Sequence, residues 1–335
     1  MQPPIRYKFR FLLTEKITFV YFTITLLIVL LFNIPFAEKL PIIATRIYVT
    51  LIILFLTYLS TFSHSTIIVF VRQVFLGYLL SIWYPETFDF NRYFPNKDYL
   101  IAGFEQKVFG MQPALAFHKL LPQNWFSEIM NFGYLAYYPI MILSGMYFYI
   151  TDRKQFKYFY FIVLFSFYIY YIIYILFPTA GPQYYYCTIG AENIQNGFFP
   201  RINEYFNFQS HLNCVQDNQG FFLNLVEKTQ LAGERPTAAF PSSHVGITTL
   251  ILFVFLEKRK YFIFALLLPV YAALVAATVY IQAHYLIDVM AGLLSSTLFY
   301  FSGKYIYKKF LLNLEDNSDE SDLKLINCIK ANNKI

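Results

Sequence analysis

The sequence predicts an all-α fold, a polytopic bundle of about eight membrane-spanning helices. Three observations carry this. The 335 residues are 57% hydrophobic and 21% aromatic, with only 14% charged, more apolar surface than a soluble domain can hide. The apolar residues come in long runs rather than in alternation, and a lipid-embedded chain satisfies its backbone as helices. The net charge of +6 sits in short turns between the runs. That is the pattern of cytoplasmic anchors under the positive-inside rule, and it argues against a nucleic-acid partner.

The elements follow in order. A basic start (Arg6, Lys8, Arg10, Lys16) precedes a first span over 17–35. It is too long for a signal peptide, and no small-residue cleavage site follows the first apolar run. Further spans are expected over 43–62 and 66–84. The segment 85–128, with Pro85, Pro95, Pro113 and Pro122, is too polar to span and too aromatic to float free, which points to interfacial helices. A fourth span covers 129–150 and a fifth 158–177, the latter stopped by Pro178-Thr179-Ala180-Gly181-Pro182. After a polar loop over 179–239, a sixth span starts at Pro241, a seventh covers 261–280, and an eighth runs from about Ala283 to Lys304.

Threading these spans alternately puts the basic turns at 151–157 and 257–260 and the C-terminal lysines on one side, with both termini cytoplasmic. The segment 85–128 and the loop 179–239 then lie outside, and so do the N-terminal ends of the sixth and eighth spans. The expected division is an N-terminal part (1–128), a catalytic membrane core (129–303) and a cytoplasmic acidic tail (304–335) that reads as disordered. Cys187 and Cys214 share the external loop, where an oxidising compartment allows a disulfide; Cys328 lies in the tail. Arg72 falls inside the third span, where an unpaired charge is costly, and so requires a partner.

Two stretches carry chemistry. His284 and Asp288 are four apart, on one face of a helix. A carboxylate there can hold the proton of one imidazole nitrogen and leave the other basic. The plainer reading is a polar pair joining two helices. The second stretch, Pro241-Ser242-Ser243-His244, suits a helix start, with proline in the first turn and serines as caps. Free N–H groups there form an anion site, beside which His244 could protonate a leaving oxygen. An ordinary cap with an incidental histidine explains this stretch alone, but not a second histidine on the same membrane face. No Cys/His spacing suggests zinc and no glycine-rich loop suggests a nucleotide, so neither metal nor cofactor is expected.

Pro-Ser-Ser-His followed by His-Tyr-x-x-Asp-Val-x-Ala-Gly resembles the type 2 phosphatidic acid phosphatase superfamily, which shares a core with vanadium haloperoxidases. The residues Thr278-Val279-Tyr280, the run Pro178 to Pro182 and the run Phe109-Gly110-Met111-Gln112-Pro113 are similar to the inositol-phosphorylceramide and sphingomyelin synthase branch. The resemblance covers roughly 100–300. It implies His284 as the nucleophile that forms a phosphohistidine, Asp288 as its orienting carboxylate, His244 as the general acid, and Ser242 and Ser243 as phosphate-binding residues. Two departures stand out. Ala277-Thr278 replaces the usual Ser-Arg. Lys228 and Arg235-Pro236 reproduce the first motif but abut Pro-Ser-Ser-His, while Gln183 stands where a charged residue is expected. Lys228 and Arg235 are therefore candidates for charge neutralisation, with solvated loop charges as the alternative.

The expected function is cleavage of a lipid phosphoester, reached laterally from the bilayer, with water or an alcohol as acceptor. Water makes it a phosphatase; a lipid or polyol hydroxyl makes it a sphingolipid headgroup transferase of the inositol-phosphorylceramide synthase type. A membrane transporter is the alternative from another class, but it would spread charges along several spans.

Overall fold

The computed structural model describes residues 9–62, 66–202, 220–233 and 235–316. Among them every regular element is a helix, apart from one isolated parallel bridge between Thr179 and Ala238. In chain order the helices are α1 (Leu13–Leu31), α2 (Phe36–Leu59), α3 (Thr66–Asn91), α4 (Asp98–Phe109), α5 (Pro113–Leu120), α6 (Asn124–Leu135), α7 (Tyr137–Thr151), α8 (Arg153–Leu176), α9 (Pro182–Gln195), α10 (Phe221–Gly233), α11 (Ser243–Glu257), α12 (Tyr261–Tyr280) and α13 (Leu286–Asp316).

Local chemistry sets several boundaries. Gly110, with φ of 67°, ends α4 in the left-handed region. Asp152 caps α8 by accepting the N–H groups of Lys154 and Gln155. The fourth expected span is divided at Ala136 into α6 and α7. Pro139 explains the division: it has no N–H for the Leu135 carbonyl, and its ring crowds that oxygen.

Six helices (α1, α2, α3, α8, α12 and α13) are long and apolar enough to cross a membrane. The other two expected spans are the divided α6–α7 and α11, which has 15 residues and covers only about 22 Å at 1.5 Å per residue. Nearly all of α11 is buried, from Ser243 to Phe255. A helix apolar on every side belongs inside a bundle, and α11 packs against α7, α8, α12 and α13. The aromatic α8 is the second hub, packed on α1, α3, α7, α11 and α13. The segment 85–128 contains α4 and α5, the short helices expected there, and the loop 179–239 contains α9 and α10. The eighth span continues to Asp316, so no structural break falls at residue 304. The rest of the acidic tail lies outside the described residues.

Arg72 has its partner. Its guanidinium meets Glu15 at 2.7 and 2.5 Å, and adds Thr57 and Ser60 at 3.0 Å and the Arg10 carbonyl at 3.1 Å. This buried pair ties α1 to α3.

The basic turns gather at one end of the bundle. Lys304 reaches Glu257 at 3.1 Å, Lys258 lies over the Tyr158 ring, and Lys16 lies over the Phe310 ring. The N-terminal ends of α11 and α13, with the two histidines, lie at the opposite end.

Candidate active site

The site begins with a close helix crossing. A Cβ on Gly246 of α11 would sit 1.8 Å from the Tyr170 hydroxyl, and one on Gly292 of α13 would sit 2.6 Å from the Ser242 carbonyl. Glycine at 292 lets α13 approach α11 this closely, and glycine at 246 makes room on α11 for Tyr170 of α8. The Ser242 N–H then donates to the Asp288 carbonyl at 3.0 Å, so the two motifs expected to cooperate are joined by backbone.

The turn between α12 and α13 is held equally firmly. The His284 N–H donates to the Thr278 carbonyl at 3.0 Å, and the Gln183 N–H to the Gln282 carbonyl at 2.8 Å. Gly181 has φ of 91°, and a Cβ there would meet the Ala283 carbonyl at 2.7 Å. The Pro178-to-Pro182 run therefore serves as the wall of the site as well as the stop of α8. Thr179 accepts the Ala239 N–H at 3.0 Å through its carbonyl and the Phe240 N–H at 2.7 Å through its hydroxyl.

His284 is 4% exposed and His244 9% exposed. His284 Nδ1 lies 2.8 Å from the Ala239 carbonyl oxygen. A carbonyl can only accept, so Nδ1 carries the proton and Nε2 keeps its lone pair. That Nε2 lies 3.5 Å from His244 Nδ1. Asp288 Oδ2 is also 3.5 Å from His284 Nδ1, and it accepts the Tyr285 N–H at 2.9 Å. Asp288 thus caps α13 as well as facing the histidine, and the closer partner of His284 is a backbone carbonyl.

Both imidazoles line a cavity of about 290 Å³, open solvent included, with Arg235, Gln183, Tyr134 and Tyr184 among its other walls. Gln183 accepts from Gln230 of α10 at 3.3 Å. The remaining expected site residues do not line it. Lys228 is exposed on α10. Ser242 is the N-cap of α11, its hydroxyl accepting the Val245 N–H at 3.4 Å. Ser243, also buried, begins the helix beside it. Cys187 on α9 is disulfide-bonded; its expected partner Cys214 lies outside the described residues.

Sequence reasoning missed four side chains. Asp98 and Glu105, seven apart on α4, are both fully buried. Asp98 accepts from Ala180 N–H at 2.6 Å, Gly181 N–H at 2.9 Å, Asn96 at 2.6 Å and the Tyr285 hydroxyl at 2.9 Å. It clasps the Pro178-to-Pro182 run to the His284-Tyr285 turn. Burial pushes its carboxyl above the ordinary aspartate value, opposed by those donors. Glu105 Oε1 accepts the Ile287 N–H at 3.0 Å at the start of α13. Burial pushes Glu105 up to about 7, with Ile287 pulling down and Asp288 pushing up. The available signal was two carboxylates at helical spacing in an aromatic segment. The other pair, Tyr134 and Tyr137, packs against His244 with ring centroids 4.6 and 4.4 Å away. The signal there was their three-residue spacing just before Pro139.

A family model described as PAP2 superfamily matches residues 100–301, more than half of the chain. No curated protein and no solved structure matches the chain. The match starts inside α4, so it takes in Glu105 as well as both histidines.

Proposed function

The chain belongs to the PAP2 superfamily, an integral membrane family of phosphatase and phosphotransferase type, and from that premise we propose that it transfers the phosphoryl group of a lipid phosphoester through a phosphohistidine on His284. The observation that carries this reading is the pairing of imidazoles: His284 Nε2, unprotonated because Nδ1 is committed to Ala239, faces His244 across 3.5 Å at a cavity. Nε2 attacks phosphorus and the P–O bond to the leaving group breaks. His244 supplies the proton to that oxygen, and water or an alcohol then takes the phosphoryl group from His284. An in-line displacement needs about 7 Å between attacking nitrogen and proton donor. The donor is therefore His244 Nε2 of the imidazolium, since Nδ1–H already faces the His284 Nε2 lone pair; Nε2 is buried without a hydrogen-bond partner among the described residues, and the phosphoryl group enters by parting the two rings. Asp288 balances the charge that His284 gains. Arg235 and Gln183, which line the cavity, hold the phosphoryl oxygens, and Lys228 draws anionic substrate from the α10 surface.

The cavity is small and walled by polar and aromatic side chains. It suits a headgroup, with the acyl chains left in the bilayer. The gathering of basic turns at the far end supports cytoplasmic termini and an external site. Two features favour transfer over hydrolysis: the Pro178-to-Pro182 run that walls the site, and Thr278, whose carbonyl holds the His284 N–H, belong to the stretches similar to the transferase branch. On this reading the donor is a phospholipid and the acceptor a lipid hydroxyl, as in a sphingolipid headgroup transferase.

The test is product analysis with a phospholipid panel, with and without candidate alcohols, combined with a quench in alkaline detergent to trap a base-stable, acid-labile phosphoprotein. A phosphorylated peptide containing His284 supports the mechanism. Wild-type-like turnover in His284→Gln refutes it. Inorganic phosphate as sole product would decide for hydrolysis.

A further inference from the structure

The helix α3 lies outside the matched region, which begins at residue 100, yet it reaches the catalytic site at two places. Tyr84 lines the cavity together with Arg235 and both histidines. Its ring packs against Tyr171 and Tyr174 of α8, at centroid distances of 6.1 and 6.5 Å. Asn91 stands seven residues further on, and so on the same face of the helix. It is buried, at 1% exposure. Its amide nitrogen meets two backbone carbonyls, that of Tyr174 at 3.1 Å and that of Thr237 at 3.4 Å. A carbonyl only accepts, so Asn91 donates both contacts. We propose that α3 is part of the catalytic unit, with Asn91 as a positioning residue that sets Arg235 through the Thr237 carbonyl.

The two carbonyls show what the contact does. Tyr174 belongs to the last turn of α8, where carbonyls lack partners within the helix. One N–H of Asn91 is thereby anchored on a rigid helix end. The other reaches the loop that follows α10. Thr237 in that loop donates its own N–H to the Arg235 carbonyl at 2.7 Å, so holding Thr237 holds the backbone from which the Arg235 side chain starts. The Thr179 N–H shares the Thr237 carbonyl at 3.4 Å, which ties the same loop to the Pro178-to-Pro182 run. Two residues before Asn91, the Asp89 carboxylate lies within electrostatic reach of Arg235, as well as of Arg92 and Glu38. The helix therefore acts on the guanidinium as well as on its loop. An arginine loses backbone and rotamer freedom when it grips an anion, and a loop already fixed lowers that cost. The inference rests on Arg235 holding phosphoryl oxygens.

The experiment is a double-mutant cycle of Asn91→Leu and Arg235→Gln. The readout is the dissociation constant of orthovanadate, a phosphate analogue, measured by calorimetry on the purified full-length protein in detergent. Leucine is close to asparagine in size and cannot donate. In the wild-type background Asn91→Leu should weaken vanadate binding about fivefold, the worth of one neutral hydrogen bond. In the Arg235→Gln background it should change the constant by less than about twofold, because the residue through which Asn91 acts is gone. A substitution that only loosened the fold would cost the same in both backgrounds. Equal losses in the two backgrounds, or no loss in either, with Arg235→Gln itself weakened, overturn the positioning role and leave the reading of Arg235 intact. Wild-type affinity in Arg235→Gln overturns that reading and the inference with it. Should Asn91→Leu not fold, Asn91→Ser, whose shorter hydroxyl does not span the two carbonyls, takes its place in the same cycle with the same expected outcomes.

Discussion

Glu105→Gln is the substitution whose effect can be worked furthest from the structure. Glu105 is fully buried where α13 begins and accepts the Ile287 N–H. Its carboxyl rises from 4.5 to about 7, first through burial and then through the charge of Asp288, against the pull of the Ile287 and Leu286 N–H groups. A group with a folded value above its unfolded value binds more protons when folded. Stability is then fully present below about pH 4.5 and is lost as pH rises through about 7. The gap corresponds to roughly 3 kcal/mol. Glutamine keeps an acceptor for the Ile287 N–H and cannot ionise. It places an amide NH₂ where Oε2 has no partner among the described residues, which adds a constant offset of about 1–3 kcal/mol. The readout is therefore the slope. Thermal unfolding of the detergent-solubilised protein, followed by circular dichroism from pH 4.5 to about 8, should show the wild type losing ground relative to Glu105→Gln by roughly 3 kcal/mol. Parallel curves for the two proteins would refute the reasoning and show that Glu105 ionises without cost.

Three further substitutions have expected outcomes. Asp288→Asn should lower kcat about 10- to 100-fold with little change in KM, less than the ~10⁴ seen where a carboxylate alone sets the tautomer, because the Ala239 carbonyl still holds Nδ1–H; steady-state kinetics showing a 10⁴-fold loss would mean that the carboxylate orients the ring. Gly246→Ala should cost about 1–3 kcal/mol in thermal unfolding, since its methyl group would lie 1.8 Å from the Tyr170 hydroxyl and 3.2 Å from the Gly292 carbonyl. Arg72→Met should destabilise by about 3–5 kcal/mol by stranding buried Glu15, and Arg72→Met combined with Glu15→Gln should recover much of that loss; a double variant no better than the single would show that the guanidinium's packing matters more than its charge.

The sequence by itself determined the fold class and the two histidine motifs that the bundle brings together. Apolar runs of membrane length define helices whatever their neighbours, because lipid offers the backbone no alternative partner. The positions of the basic turns determined the threading, and threading placed His244 and His284 at one end of the bundle. The two motifs were legible because each is local: a histidine four residues from an aspartate, and a proline-serine helix start. What the tertiary structure decided is everything that depends on which elements touch. Ala239 orients His284 through a backbone carbonyl, and no residue pattern marks a carbonyl that bends back across 45 residues of chain. Asp98 reaches Tyr285 from 187 residues away, and its helix reads from sequence as one more aromatic interfacial segment. Arg235 and Lys228 look equivalent in the sequence, yet Arg235 sits at a loop that walls the cavity while Lys228 faces outward on α10. The physical reason is common to these cases. Membrane partition and helix periodicity act on each residue where it stands, whereas orientation of an imidazole is set by contacts between segments that meet only after the bundle has packed.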